Sequence, residues 1–325
     1  MTAKNEVIVV TGAAGFIGFH LSKRLLDMGY EVVGIDNLNP YYDVRLKEAR
    51  RDILTPYDRF TFYLADLQDL PAMKDIFKRH DVDRICNLAA QAGVRHSLKD
   101  PFSYEKANLA GFLNILEMAR KYNVKNLVYA SSSSVYGKNK KIPYAVEDRV
   151  DNPISLYAAT KKANELMAHA YSHLFDIPCT GLRYFTVYGP WGRPDMALFL
   201  FTHAILNNRP IQVYNYGNMR RDFTYIDDIV DGTVAAIERP VPYKIYNLGN
   251  SDAMGLLDFI RIIEEELSKT AQKELMPIQP GDVAETTADI EASRTALGFS
   301  PKTPVREGIR HFLSWYKGYY GIGDG

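Results

Sequence analysis

The chain has 325 residues, enough for one large α/β domain with a smaller second lobe. Hydrophobic residues make up 46% and charged residues 24%, which excludes a disordered chain. Basic and acidic residues number 39 each, so no global charge draws the chain to nucleic acid or a membrane surface, and an anionic substrate has to be met by a local site.

The first residues carry Lys4 and Glu6 ahead of an apolar run, without the basic stretch and long apolar core of a secretory leader. No apolar run reaches the ~18 residues of a membrane-spanning helix. The expectation is a cytoplasmic protein. Strands are expected at 7–11 and 31–35, with a helix over 15–28 between them. A strand at 59–64, a helix at 70–79 and a strand at 84–88 follow. Next come a helix over about 104–122, a strand at 126–130, a helix over about 156–175 and a strand at 178–184. Such alternation implies right-handed βαβ units and a parallel sheet covered on both faces. The fold class is therefore α/β, a Rossmann-type doubly wound sheet.

Beyond Gly189 the character changes to a turn-rich Gly-Pro-Trp-Gly-Arg-Pro stretch and shorter elements. Helices are expected at 198–207, 226–237, 256–267 and 305–320. The apolar run 243–248 reads as a buried strand, so part of 225–250 returns to the sheet. Residues 1–185 are thus assigned to dinucleotide binding and 186–325 to a smaller α/β substrate-binding lobe. Cys86 and Cys179 lie in apolar runs and read as reduced core thiols, not a disulfide or metal pair.

Between the first strand and the first helix stands Thr11-Gly12-Ala13-Ala14-Gly15-Phe16-Ile17-Gly18. Glycines at this spacing let the backbone turn tightly and approach a pyrophosphate, which then meets the helix N-terminus. Strand before and helix after supply the context that the motif needs. Asp36 ends the next strand, 18 residues after Gly18, where a carboxylate accepts from a ribose diol and repels the extra phosphate of NADP. NAD is the expected cofactor. Asp66 and Leu67 follow the third strand and are candidates for the adenine end.

Tyr157 and Lys161 stand four residues apart on one helix face. A free tyrosine, with a pKa of ~10, is a poor base at neutrality. A neighbouring ammonium favours the phenolate. The strand before this helix ends in Ser131-Ser132-Ser133-Ser134-Val135-Tyr136-Gly137. Hydroxyls at the carboxyl end of a parallel strand face the ligand crevice, so Ser132, Ser133 or Ser134 is expected to relay a proton to Tyr157.

Taken in order, the three glycines, the serine segment, Tyr157/Lys161, Arg183–Gly189 and Arg221–Asp228 resemble the extended short-chain dehydrogenase/reductases, specifically the NAD-dependent epimerase/dehydratase family. The stretches GPWGRPDMA and YNYGNMRRDFTYIDDIV are similar to those of UDP-glucuronate 4-epimerases. The resemblance implies a tightly held, recycled NAD, with Asn37, Leu88, Ala89, Ala90, Asn108 and Tyr184 added to the cofactor site, and no metal. It implies oxidation at C4 of a UDP-sugar, rotation of the 4-keto sugar, and reduction on the opposite face. Dehydratases of the family carry an Asp-Glu pair where this chain has Ser133-Ser134, and decarboxylases carry glutamate at Ser134. Both differences favour epimerisation. Arg193 matches the position that would hold the sugar carboxylate, with Thr186 as a further contact. Arg221 and Asp282 match the diphosphate and uridine contacts. The alternatives are a UDP-glucose or UDP-N-acetylhexosamine 4-epimerase, a UDP-glucuronate decarboxylase, or an inactive NAD-binding protein. A homodimer is implied through the helices over 104–122 and 156–175.

Overall fold

The computed structural model describes residues 4–323. Six strands, Val7–Thr11 (β1), Glu31–Asp36 (β2), Phe60–Leu64 (β3), Val82–Asn87 (β4), Asn126–Ser132 (β5) and Cys179–Tyr184 (β6), are joined by Tyr243–Leu248 in one sheet. All pairs are parallel. The order is β3-β2-β1-β4-β5-β6 with Tyr243–Leu248 outside β6, so the winding reverses between β1 and β4. That reversal opens a crevice beyond the carboxyl ends of the strands.

The strands are unbroken apolar runs because both faces are covered. Ile8 and Val10 of β1 point into one core, while Val9 points into the other. The first core takes Phe19, Leu21 and Leu25 of the helix Phe16–Asp27, and Ile229 and Val230 of the helix Ile226–Glu238. The second takes Met73 and Phe77 of Leu70–Arg79, Phe112 and Ile115 of Gly111–Lys121, and Ala168 of Leu156–Phe175.

Several elements differ from the sequence reading. A helix at Val44–Leu54, capped by Asp43, lies between the second and third strands, where no element is expected from the sequence. The helix expected from about 104 starts at Pro101 and contains a π-helical turn, Glu105–Ala110, before Gly111–Lys121. β5 runs on to Ser132, so two of the serines are strand residues.

The smaller lobe is built on Arg220–Tyr225, flanked by Ala253–Gly255 and Glu285–Thr286, with Thr186–Tyr188 also paired to it. A parallel pair, Ile211–Tyr214 with Lys273–Met276, lies beside it. The helices Ala197–Leu206, Leu256–Leu267 and Val305–Tyr320 pack around these strands. Buried acids tie the lobe together: Asp222 accepts backbone N–H groups from Asn250, Ser251 and Ala288, and Asp228 accepts from Lys302 and Thr303. Among the described residues no helix is long and apolar enough to cross a membrane.

Candidate active site

A cleft of about 1050 Å³ runs from the glycine turn, across the ends of β4 and β5, to the smaller lobe. Gly12 has φ +69°, and a Cβ there would come within 2.9 Å of the Ala89 nitrogen. A Cβ on Gly18 would overlap the Gly12 carbonyl oxygen, so the helix packs on the turn only without a side chain. Asp36 closes the turn, accepting from Ala14 N (3.1 Å) and Leu38 N (2.8 Å). Asn37 donates to Asp66 at 2.8 Å. Phe16, Ile17, Leu67, Leu88, Ala89, Ala90 and Tyr184 also line the cleft.

Asn108 stands apart from the other expected cofactor residues. It does not line the cleft but sits behind it, buried in the π-helical turn. Its side chain accepts from Gln91 N (2.8 Å) and donates to Gln91 O and Thr160 Oγ1 (both 3.0 Å). It fixes the backbone that follows β4 against the helix Leu156–Phe175.

That helix is capped by Ser155 and carries Tyr157 and Lys161 into the cleft. Lys161 is buried and donates to the Ala130 carbonyl at 2.8 Å, and burial lowers its pKa to about 8. Burial raises the pKa of the Tyr157 phenol, while hydrogen bonding with Ser132 and the field of Arg193 act in the opposite sense. Ser132 Oγ also lies 3.1 Å from Ser134 Oγ and accepts from Ser134 N. One turn beyond Lys161, Glu165 accepts two hydrogen bonds from Arg183 (2.8 and 3.0 Å) and one from Ser131. This buried pair locks the helix to β5 and β6.

At the far end, Thr186, Arg193, Arg221 and Asp282 all face the cleft. Arg193 makes a paired contact with Asp195, at 3.0 and 2.5 Å, and Asp195 also accepts from Tyr41 at 3.0 Å. Arg221 donates to the carbonyls of Val283 and Ala284, which shapes the loop bearing Asp282. Asp282 in turn pairs with Arg95 at 3.0 Å, and the Arg95 guanidinium stacks over Tyr214. Arg95 and Tyr41 escaped the sequence reading because their loops lie far in the chain from those of their partners, Asp282 and Asp195.

A family model for the NAD dependent epimerase/dehydratase family matches residues 8–249. The chain belongs to that family. A probable UDP-glucuronate 4-epimerase of Rhizobium meliloti is 45% identical, over 96% of this chain and 97% of its own length. UDP-glucuronate 4-epimerase 4 of Arabidopsis thaliana is 44% identical, over 98% of this chain and 77% of its own. The crystal structure of UDP-glucuronic acid 4-epimerase from Bacillus cereus, in complex with UDP-glucuronic acid and NAD, superposes with a TM-score of 0.91 at 36% identity. It covers 97% of this chain and 100% of that one.

As a member of the epimerase/dehydratase family the protein is an NAD-dependent enzyme. The residues present fit that cofactor. The helix Phe16–Asp27 begins without a side-chain cap and without an acid in its first turn, so its amino end is left to an anion. The crowded contact of Gly12 and Gly18 leaves bare backbone where a diphosphate has to approach. Among the described residues no cluster of acids, histidines or cysteines could hold a metal ion.

Proposed function

We propose that the protein interconverts UDP-glucuronate and UDP-galacturonate by epimerisation at C4. The observation that carries this reading is that Arg193 lines the same cleft as Tyr157, Ser132 and Thr186. A cation in the cleft of the general base is placed to meet an acid group on the same sugar. Ser132 supplies the hydroxyl between the sugar and Tyr157, with Ser133 and Ser134 beside it. Bound NAD would supply the redox chemistry, removal of a hydride from C4 of the sugar and its return to the opposite face. Tyr157 accepts and returns the hydroxyl proton, and Lys161 supplies the positive charge that favours its phenolate. Thr186 and Arg193 orient the carboxylate, and Arg221 and Asp282 hold the UDP end.

The 4-keto form of a uronic acid is a β-keto acid and loses carbon dioxide when its carboxylate aligns with the carbonyl π-system. A guanidinium making paired hydrogen bonds can hold the carboxylate out of that alignment. Serines at 133 and 134 supply no acid or base for elimination. Incubating the purified protein with UDP-glucuronate and no added cofactor should yield UDP-galacturonate. UDP-pentose as the main product would overturn the reaction, and conversion of UDP-glucose alone would overturn the substrate.

The division of labour falls near residue 185, with NAD held before it and the UDP-sugar after it. The two free, buried thiols are in keeping with a reducing, cytoplasmic setting. Exposed Leu113 on one helix and Leu166 and Leu174 on its neighbour support a homodimer through that face.

A further inference from the structure

Arg50 is completely buried, yet among the described residues it has no carboxylate partner. Its guanidinium donates only to neutral acceptors. Nη1 reaches Ala14 O (3.0 Å) and Tyr42 Oη (2.7 Å), and Nη2 reaches Trp191 O (2.6 Å) and, more distantly, Gly192 O (3.4 Å). An arginine cannot shed its charge to ease burial, and an unpaired buried charge is costly. A leucine or methionine would fill the space without that penalty, so stability alone does not account for a cation here.

What the guanidinium joins is more informative. Ala14 belongs to the glycine turn. Trp191 and Gly192 immediately precede Arg193. Trp191 has φ +61°, unusual for a side chain of its size, and its ring is wedged among Phe19, Trp315 and Tyr319. The carbonyl one residue earlier, Pro190 O, accepts from His20 Nε2 at 2.9 Å, and burial lowers the pKa of that imidazole to about 4, keeping it neutral. Three successive carbonyls leading into Arg193 are therefore held by side chains from the cofactor half of the protein.

We propose that Arg50 is a positioning residue that registers the Arg193 loop on the glycine turn, and thereby sets where the sugar carboxylate sits relative to the nicotinamide. The proposal rests on Arg193 binding that carboxylate. The fork shape of the guanidinium is essential, because its two terminal nitrogens address the two loops separately.

Substrate binding is measured by calorimetry on the NAD-loaded protein in a Tyr157→Phe background that stops turnover. Arg50→Met should reduce the preference for UDP-glucuronate over UDP-glucose by about tenfold, within the range that packed networks transmit. Its affinity for UDP should stay unchanged, which a general loss of structure would not allow. Arg50→Lys, the milder variant should Arg50→Met fail to fold, keeps the charge but not the fork and should also lose preference. With Tyr157 restored, both should release a larger share of UDP-pentose. Adding either Arg50 variant to Arg193→Ala should cost no further preference, since Arg50 acts through the contact that Arg193 makes. If Arg193→Ala alone leaves the preference intact, the carboxylate reading falls. If Arg193→Ala abolishes the preference while the Arg50 variants keep it, or if they weaken UDP equally, only the role of Arg50 falls.

Discussion

Lys161 donates to a strand carbonyl from inside the protein, and with its pKa at about 8 it is charged below that pH and neutral above it. Tyr157, one turn earlier, has its pKa raised by burial. In the proposed mechanism Lys161 favours the Tyr157 phenolate, and removing that charge would raise the phenol further. Lys161→Met should therefore move the rise of kcat with pH to higher pH. The two profiles should converge above pH 8, where the native lysine is itself neutral. Superimposable profiles at all pH values would remove Lys161 from the chemistry. Tyr157→Phe should lower turnover by about 10²- to 10⁴-fold, as for loss of a general base, with NAD content unchanged. This pair could be read in the sequence because helical spacing places both side chains on one face. Arg95 and Tyr41 could not, since their partners Asp282 and Asp195 lie 187 and 154 residues away. Asn108 shows the converse: it sits behind the cleft wall, where its hydrogen bonds hold the Gln91 backbone and Thr160.

The same contrast holds for the elements. The central strands are legible because a sheet covered on both faces needs unbroken apolar runs, as in Val7-Ile8-Val9-Val10. The helix Val44–Leu54 is heavily charged, so its apolar period is weak in the sequence, although Leu46, Arg50 and Leu54 make a buried stripe. The strands of the smaller lobe are short, and Glu285–Thr286 has meaning only through its pairing with Arg220 and Arg221. At the glycine turn, packing yields a sign that propensity alone gets wrong. Alanine in a helix normally gains roughly 0.5–1 kcal/mol over glycine. At Gly18 the added Cβ overlaps the Gly12 carbonyl oxygen, a backbone atom that cannot rotate aside. Gly18→Ala should therefore lower both the melting temperature and the amount of NAD retained per chain. A higher melting temperature with full NAD content would show that the turn and helix are not packed this way.

At the scale of the whole molecule, the helix Leu156–Phe175 serves two surfaces at once. Lys161, Glu165, Ala168 and Ser172 are buried against the sheet, while Leu166, Ala170 and Leu174 stand exposed one above another on the opposite side. Leu113 and Phe102 are exposed on the adjacent helical stretch. In the proposed homodimer these apolar side chains on two neighbouring helices meet a second copy instead of water. A C2 pairing would bring each patch against its own equivalent, so one substitution acts twice in the interface. Leu166→Glu would place two like charges in a contact otherwise made by leucines, each deprived of water. Sedimentation velocity should find the native protein at twice the mass of one chain and the variant at the mass of one. Because the inner face of the helix is held by the Glu165–Arg183 pair and not by the partner, the variant should still retain NAD. A native protein that sediments as a single chain at micromolar concentration would leave that apolar face without a partner and overturn the dimer.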